Sequence, residues 1–96
     1  METEKQIERH LVMKIKKMGG KAYKFVSPGN TGVPDRVIIL PVGKVLFVEL
    51  KAEDGRLTPN QVQTIDEMRG LGAEVHVLYG QFAVELFLER CRDNMN

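Results

Sequence analysis

Val33-Pro34-Asp35-Arg36-Val37-Ile38-Ile39-Leu40, then Pro41-Val42-Gly43, then Lys44-Val45-Leu46-Phe47-Val48-Glu49-Leu50-Lys51-Ala52 reads as two strands around a tight turn, a β-hairpin. A two-residue Val42-Gly43 loop would demand a positive φ from Val42, which a β-branched side chain resists. A three-residue loop is therefore expected, with Pro41 at the first corner of a type I turn and Gly43 left-handed. Leu40 then faces Lys44 and, counting back, Asp35 faces Glu49 on the same side of the sheet. The second strand is apolar on both faces up to Val48, as a central strand covered on both sides would be. It then carries Glu49 and Lys51 at the same parity, hence on one face.

Before the hairpin, residues 3–18 read as a helix, because Ile7, Leu11, Val12, Ile15 and Met18 recur at three- and four-residue spacing, and Gly19 and Gly20 stop it. At about 100° per residue, Glu4 and Glu8 fall inside the apolar sector, a costly placement unless something cationic answers them. Lys21–Val26 reads as a short strand ended by the loop Ser27-Pro28-Gly29-Asn30-Thr31-Gly32. After the hairpin, Thr58 is placed as an N-cap with Pro59 at the first helical position and Gln61 three after the cap. Val62, Ile65, Met68 and Leu71 supply that helix with a core face, and Gly70 and Gly72 end it. Ala73–Tyr79 alternates as a strand and Gln81–Arg90 forms a last amphipathic helix. The order is αβββαβα.

The chain has 96 residues, 43% of them apolar and 28% charged, which suits one globular domain over 1–96 and excludes fibrous and disordered classes. No run approaches the roughly 20 apolar residues of a membrane span. Together with the absence of a signal-like start this leads us to expect a cytoplasmic protein. The single cysteine, Cys91, rules out an internal disulfide framework and a multi-cysteine zinc site. Charge is uneven: residues 1–27 hold seven Lys/Arg against three Glu, although the whole chain nets only +1. Lys14, Lys16, Lys17, Lys21, Lys24 and Arg36 are candidates for contacts to backbone phosphates, an ordinary solvated face being the alternative. Ser27 has no histidine at a recognisable spacing, so it is no nucleophile; it joins the nucleic-acid-binding candidates. Six aromatic residues, not interleaved with the bases, give little support to stacking on single strands.

Chemistry concentrates on Asp35, Glu49 and Lys51. Two carboxylates converging on one face make a site for a hard divalent cation such as Mg²⁺ or Mn²⁺, and Lys51 can orient a water or hold a phosphate. The competing reading is an internal salt-bridge cluster at the sheet rim, disfavoured because charges at the end of an apolar central strand are expensive. Gln61 can serve either the site or the helix cap. His10, on the polar side of the first helix, and His76, in the last strand, have no second nitrogen or thiolate ligand nearby and are read as structural.

Pro34-Asp35, thirteen intervening residues and Glu49-Leu50-Lys51 resemble the PD-(D/E)xK nuclease signature on its restriction-endonuclease-like α/β core, a central mixed sheet flanked by helices. Ser27-Pro28-Gly29, Gly32-Val33-Pro34-Asp35-Arg36, Phe47-Val48-Glu49-Leu50-Lys51-Ala52 and Gly55-Arg56-Leu57-Thr58-Pro59 with Gln61 extend the resemblance to the virus-type replication-repair nuclease (VRR-NUC) family, small stand-alone phage or bacterial type. The resemblance implies a nuclease acting on DNA with Mg²⁺ or Mn²⁺. Asp35, Glu49 and the Leu50 carbonyl would be metal ligands, Lys51 would assist the nucleophile, and Gln61 would lie near the active site. It also implies an acid from the first helix: Glu8 is favoured, with Glu4 the second choice, both expected on its inward face. Homodimers working on branched DNA such as four-way junctions, in a bacterial or phage-infected host cytosol, are implied as well. The rival readings are a non-catalytic nucleic-acid-binding module on the same fold and a metal-dependent phosphatase, the latter weakened by the lack of a phosphate-binding glycine loop. Neither a membrane nor a small-molecule cofactor is expected.

Overall fold

The computed structural model describes residues 2–95. The elements follow the expected order: α1 (Glu4–Lys17), β1 (Lys21–Lys24), β2 (Arg36–Leu40), a short turn Pro41–Gly43, β3 (Lys44–Lys51), α2 (Pro59–Gly70), β4 (Val75–Tyr79) and α3 (Gly80–Asp93). They build one mixed sheet in the order β1-β2-β3-β4. β1 pairs with β2 and β2 with β3 in antiparallel fashion, and β4 joins β3 in parallel through the α2 crossover.

One face of this sheet carries the main core. Ile7, Leu11 and Ile15 of α1 and Val84, Phe87, Leu88 and Cys91 of α3 pack on Ala22, Ile38, Leu40, Leu46, Val48, Leu50 and Leu78. The stripe on α1 forms because its apolar residues recur every three or four positions. Thr3 starts the helix, its hydroxyl accepting the Gln6 N–H while the Gln6 side chain accepts the Thr3 N–H in return. Against expectation, Glu4 is exposed in the first turn and Glu8 half-buried, so the apolar sector does not enclose either carboxylate. His10 pairs with Glu85, tying α1 to α3.

The other face holds Phe47, Glu49 and Lys51 and is covered only in part. The expectation that β3 is enclosed on both sides is corrected here: Val45 is 49% exposed and Ile39 38%. α2 buries Ile65 alone, whereas Val62 and Leu71 face solvent instead of forming a core face. The cause is position, since α2 sits at the β4 side of the sheet and leaves the β1–β2 side open.

The hairpin keeps the expected register, Leu40 paired with Lys44 and Arg36 with Val48. The turn has the expected length but a different conformation. Gly43 is left-handed with φ of 80°, and Val42 is left-handed as well, at 64°, with its side chain fully exposed. The β-branched penalty is accepted because Pro41 ends the strand and the Val42 side chain projects into open solvent. Strand ends are shorter than the residue pattern suggests: β1 stops at Lys24 and β2 starts at Arg36, although Phe25 N–H still donates to the Asp35 carbonyl at 2.9 Å.

Candidate active site

The β2–β3 pairing ends at Arg36 with Val48, and the chain bends at Asp35, next to Glu49 where the hairpin opens, so the two carboxylates meet just beyond the last paired residues. Asp35 is held there by a bond its own strand does not supply: the Leu50 N–H donates to Asp35 Oδ2 at 3.0 Å. Glu49 is almost completely buried, 1% exposed. Its Oε2 accepts the Gln61 Nε2–H at 3.1 Å and lies 3.5 Å from Lys51 Nζ. Its Oε1 is buried with no hydrogen-bond partner. A carboxylate oxygen buried without a donor is costly, and this one belongs to a group beside which other acids gather.

The third acid comes from α1. Carboxylate oxygens of Glu4, Asp35 and Glu49 all lie within 4.8 Å of one another, the one such group among the described residues. The geometry brings in Glu4, the second choice of the sequence analysis, and not Glu8. Arg36 is the reason: its Nε–H donates to Glu8 Oε2 at 2.8 Å while its Nη1 group donates to the Ala22 carbonyl at 3.2 Å. The cation expected to answer a costly carboxylate exists, and it takes Glu8 out of the cluster.

Burial, and after it the crowding of acids, raises the proton affinity of Glu49 and Asp35. Burial pushes the Glu49 carboxyl up to about 7, with the Asp35 charge adding to it and Lys51 opposing. Asp35 is also raised, chiefly by burial, against the lowering effect of the Leu50 N–H bond. Oxygen donors only, one of them orphaned, in a site that disfavours its own negative charge, fit a hard divalent cation.

The two readings of Gln61 both hold. Its Oε1 accepts the Thr58 N–H at 2.9 Å, its own backbone N–H donates to the Thr58 hydroxyl at 3.1 Å, and its Nε2 serves Glu49. One amide caps α2 and fixes a site carboxylate.

The basic candidates divide by position. Lys24 pairs with Arg36 at the site end of the sheet, with half-buried Ser27 in the loop beyond, whereas Lys21 pairs with Ile39 at the far end and lies over the Tyr23 ring. Lys14 and Lys17 sit toward the C-terminal end of α1, roughly 15 and 20 Å along the helix from Glu4 at about 1.5 Å per residue. Sequence reasoning passed over Lys5 and Arg9, which line a shallow depression with Glu8, Val12 and Arg36. Their four-residue spacing on α1, beginning next to Glu4, was the available signal. His76 pairs with Glu74 at 2.7 Å and packs on Phe87, away from the acids.

Comparison with known proteins shows the family and the fold. The sequence profile of the VRR-NUC domain matches residues 1–82. A phage protein, "Putative nuclease p44" of Acyrthosiphon pisum secondary endosymbiont phage 1, is 51% identical over 78 residues, covering 81% of this chain and 84% of its own. A solved VRR_NUC domain superposes with a TM-score of 0.85 at 30% identity, over 92% of this chain and 97% of that one. With its hairpin, its acids and its near full-length match, the chain belongs to the VRR-NUC family of nuclease domains.

Proposed function

We propose that the chain is an endonuclease of the PD-(D/E)xK type that hydrolyses DNA phosphodiester bonds with Mg²⁺ or Mn²⁺. The observation that carries the reading is the buried, partnerless Glu49 Oε1 within a three-acid cluster that has Lys51 beside it. Asp35, Glu49 and Glu4 would hold the ion, with the Leu50 carbonyl completing the set. A divalent cation bound there supplies Lewis acidity toward the scissile phosphate and a more acidic water.

The protein groups do the positioning. Gln61 anchors Oε2 of Glu49 and leaves Oε1 free for the ion. The Leu50 N–H holds Asp35, and Arg36 keeps Glu8 aside. Lys51, a compact charge beside Glu49, orients the attacking water or takes up a phosphate oxygen. Lys5, Arg9, Lys24 and Arg36 surround the site end and suit sequence-independent phosphate contacts.

The finer reading is branched DNA such as four-way junctions, cut by a homodimer that presents two sites to one molecule; the family resemblance of the sequence motifs and the small size of the fold support it. The test is incubation of the protein with plasmid, linear duplex and four-way junctions, with and without Mn²⁺, alongside sedimentation. Mn²⁺-dependent cutting of the junction by a dimer is expected. Tight DNA binding without turnover would favour the binding-module reading. Equal cutting of every duplex by a monomer would remove junction selectivity and dimerisation from the proposal.

A further inference from the structure

Tyr79 closes β4 beside the acids. In the parallel β3–β4 ladder Lys51 is the partner of Tyr79, and Leu50 is the partner of Leu78. Leu50 and Leu78 both belong to the core under α1 and α3, so Lys51 and Tyr79, one residue on, both point to the opposite face, the face of Glu49. Neighbouring strands lie about 4.8 Å apart, which makes the tyrosine the next side chain after Lys51 along the site end of the sheet, on the side away from β2. The Lys51 side chain is 14% exposed and turned to Glu49, whereas Tyr79 is 41% exposed. Along the chain no aromatic residue is interleaved with the bases; the sheet places one beside a lysine. Local structure gives this tyrosine no other task. It is the N-cap residue of α3, a position where Ser, Thr, Asp or Asn would satisfy a free N–H, and no side chain caps this helix. Gly80, which follows, is left-handed at φ 81°, and a Cβ there would come within 3.3 Å of the Glu53 side chain. The turn that carries Tyr79 is therefore held by a close approach only glycine permits.

We propose that Tyr79 is a specificity-determining residue whose ring stacks on a base that has left the duplex next to the scissile phosphate, so that the site favours DNA with an unpaired nucleotide there. The inference rests on the nuclease reading above. In a continuous duplex each base is stacked on both sides and offers a protein only its edge and its phosphates. At a gap, flap or branch a base is free to turn out, and every base has a π face that an aromatic ring can take. Lys51 meets the backbone while Tyr79, one strand further out, meets the base. That pairing of a cation with a ring is what single-stranded DNA requires of a binding surface.

The experiment compares a continuous duplex with the same duplex carrying a few unpaired nucleotides in one strand. Binding is measured by fluorescence anisotropy without divalent metal, so that turnover plays no part. We expect Tyr79→Ala to bind the interrupted DNA about tenfold more weakly and the continuous duplex within about twofold of the parent, as one lost base–aromatic stack predicts. Tyr79→Phe keeps the ring and should match the parent on both. Tyr79→Leu keeps apolar bulk without a π face; it should follow the alanine variant, and it decides the matter if that variant does not fold. Phe82→Ala removes a ring that is 77% exposed three residues further on and should change neither affinity. Equal loss on both DNAs, no loss on either, or a phenylalanine variant that behaves like alanine would overturn the proposal. With Mn²⁺ added, the preference for cutting the interrupted DNA should shrink in the alanine and leucine variants alone. A parent that binds both DNAs and cuts neither overturns the nuclease reading, and the binding ratios still decide the role of Tyr79; a parent that binds neither overturns both.

Discussion

Gln61 is bonded to Glu49 across 3.1 Å while its other amide atom closes the cap of α2, so the start of a helix and the orientation of a site carboxylate are one structural event. The two functions separate chemically. Gln61→Glu keeps an oxygen for the Thr58 N–H but sets a carboxylate against Glu49. Gln61→Ala loses the cap bond as well. Cleavage should fall at least tenfold in both, on the order of one lost hydrogen bond to a charged group, while only the alanine variant should lose roughly 1 kcal/mol of stability at about pH 5, where Glu49 is largely neutral. Thermal melts and initial rates measure the split.

Glu49 titrates with folding. Its folded-state carboxyl is raised from 4.5 to about 7, so between those values the folded protein binds more protons than the unfolded chain. Stability without metal is therefore highest below pH 4.5 for this group and falls as pH rises to about 7, by up to about 3 kcal/mol at about 1.36 kcal/mol per unit. Glu49→Gln should flatten that slope and melt higher than the parent at about pH 8, yet have no detectable cleavage. A parent protein whose Tm does not fall between about pH 5 and pH 8 would contradict the assigned environment.

The same carboxyl must ionise to bind a cation. Mn²⁺ binding should release protons at about pH 6 and nearly none at about pH 8.5, seen by calorimetry in buffers of different ionisation enthalpy. Asp35→Asn should abolish both binding and cleavage. Lys51→Ala should abolish turnover while leaving Mn²⁺ affinity within severalfold, because Lys51 is assigned to water or phosphate and not to the ion.

The hairpin turn offers a stability test free of the chemistry. Val42 is left-handed and fully exposed, so Val42→Asn should gain about 0.5–1 kcal/mol by relieving the β-branched penalty without losing burial. Gly43→Val should cost about 1–2 kcal/mol by the same penalty. Deleting Val42 should be worse than either, since a one-residue slip turns a carboxylate to the opposite face. Denaturant midpoints order the three.

Phosphate contacts should follow distance from the acids. Lys5→Ala with Arg9→Ala should weaken binding of duplex DNA and reduce the salt slope by about 2, whereas Lys14→Ala with Lys17→Ala should change it little. Fluorescence anisotropy at several salt concentrations reads this directly.

Periodicity and turn chemistry made most of the fold legible in advance. The α1 stripe, the Leu40 to Lys44 register, the Thr58 cap and the convergence of Asp35 and Glu49 are local patterns, each set by residues close together along the chain. Three matters required the assembled molecule. Glu4 and Glu8 are one helical turn apart and equivalent as a pattern, and only the approach of Arg36 from β2 commits Glu8 to an ion pair and leaves Glu4 to the cluster. Gln61 posed alternatives as a sequence feature because its bond to Glu49 depends on where α2 lands beside the sheet. The open β1–β2 side of the sheet was invisible in strands that are apolar on both faces, since hydrophobicity states what a face could bury but not whether a helix arrives to cover it.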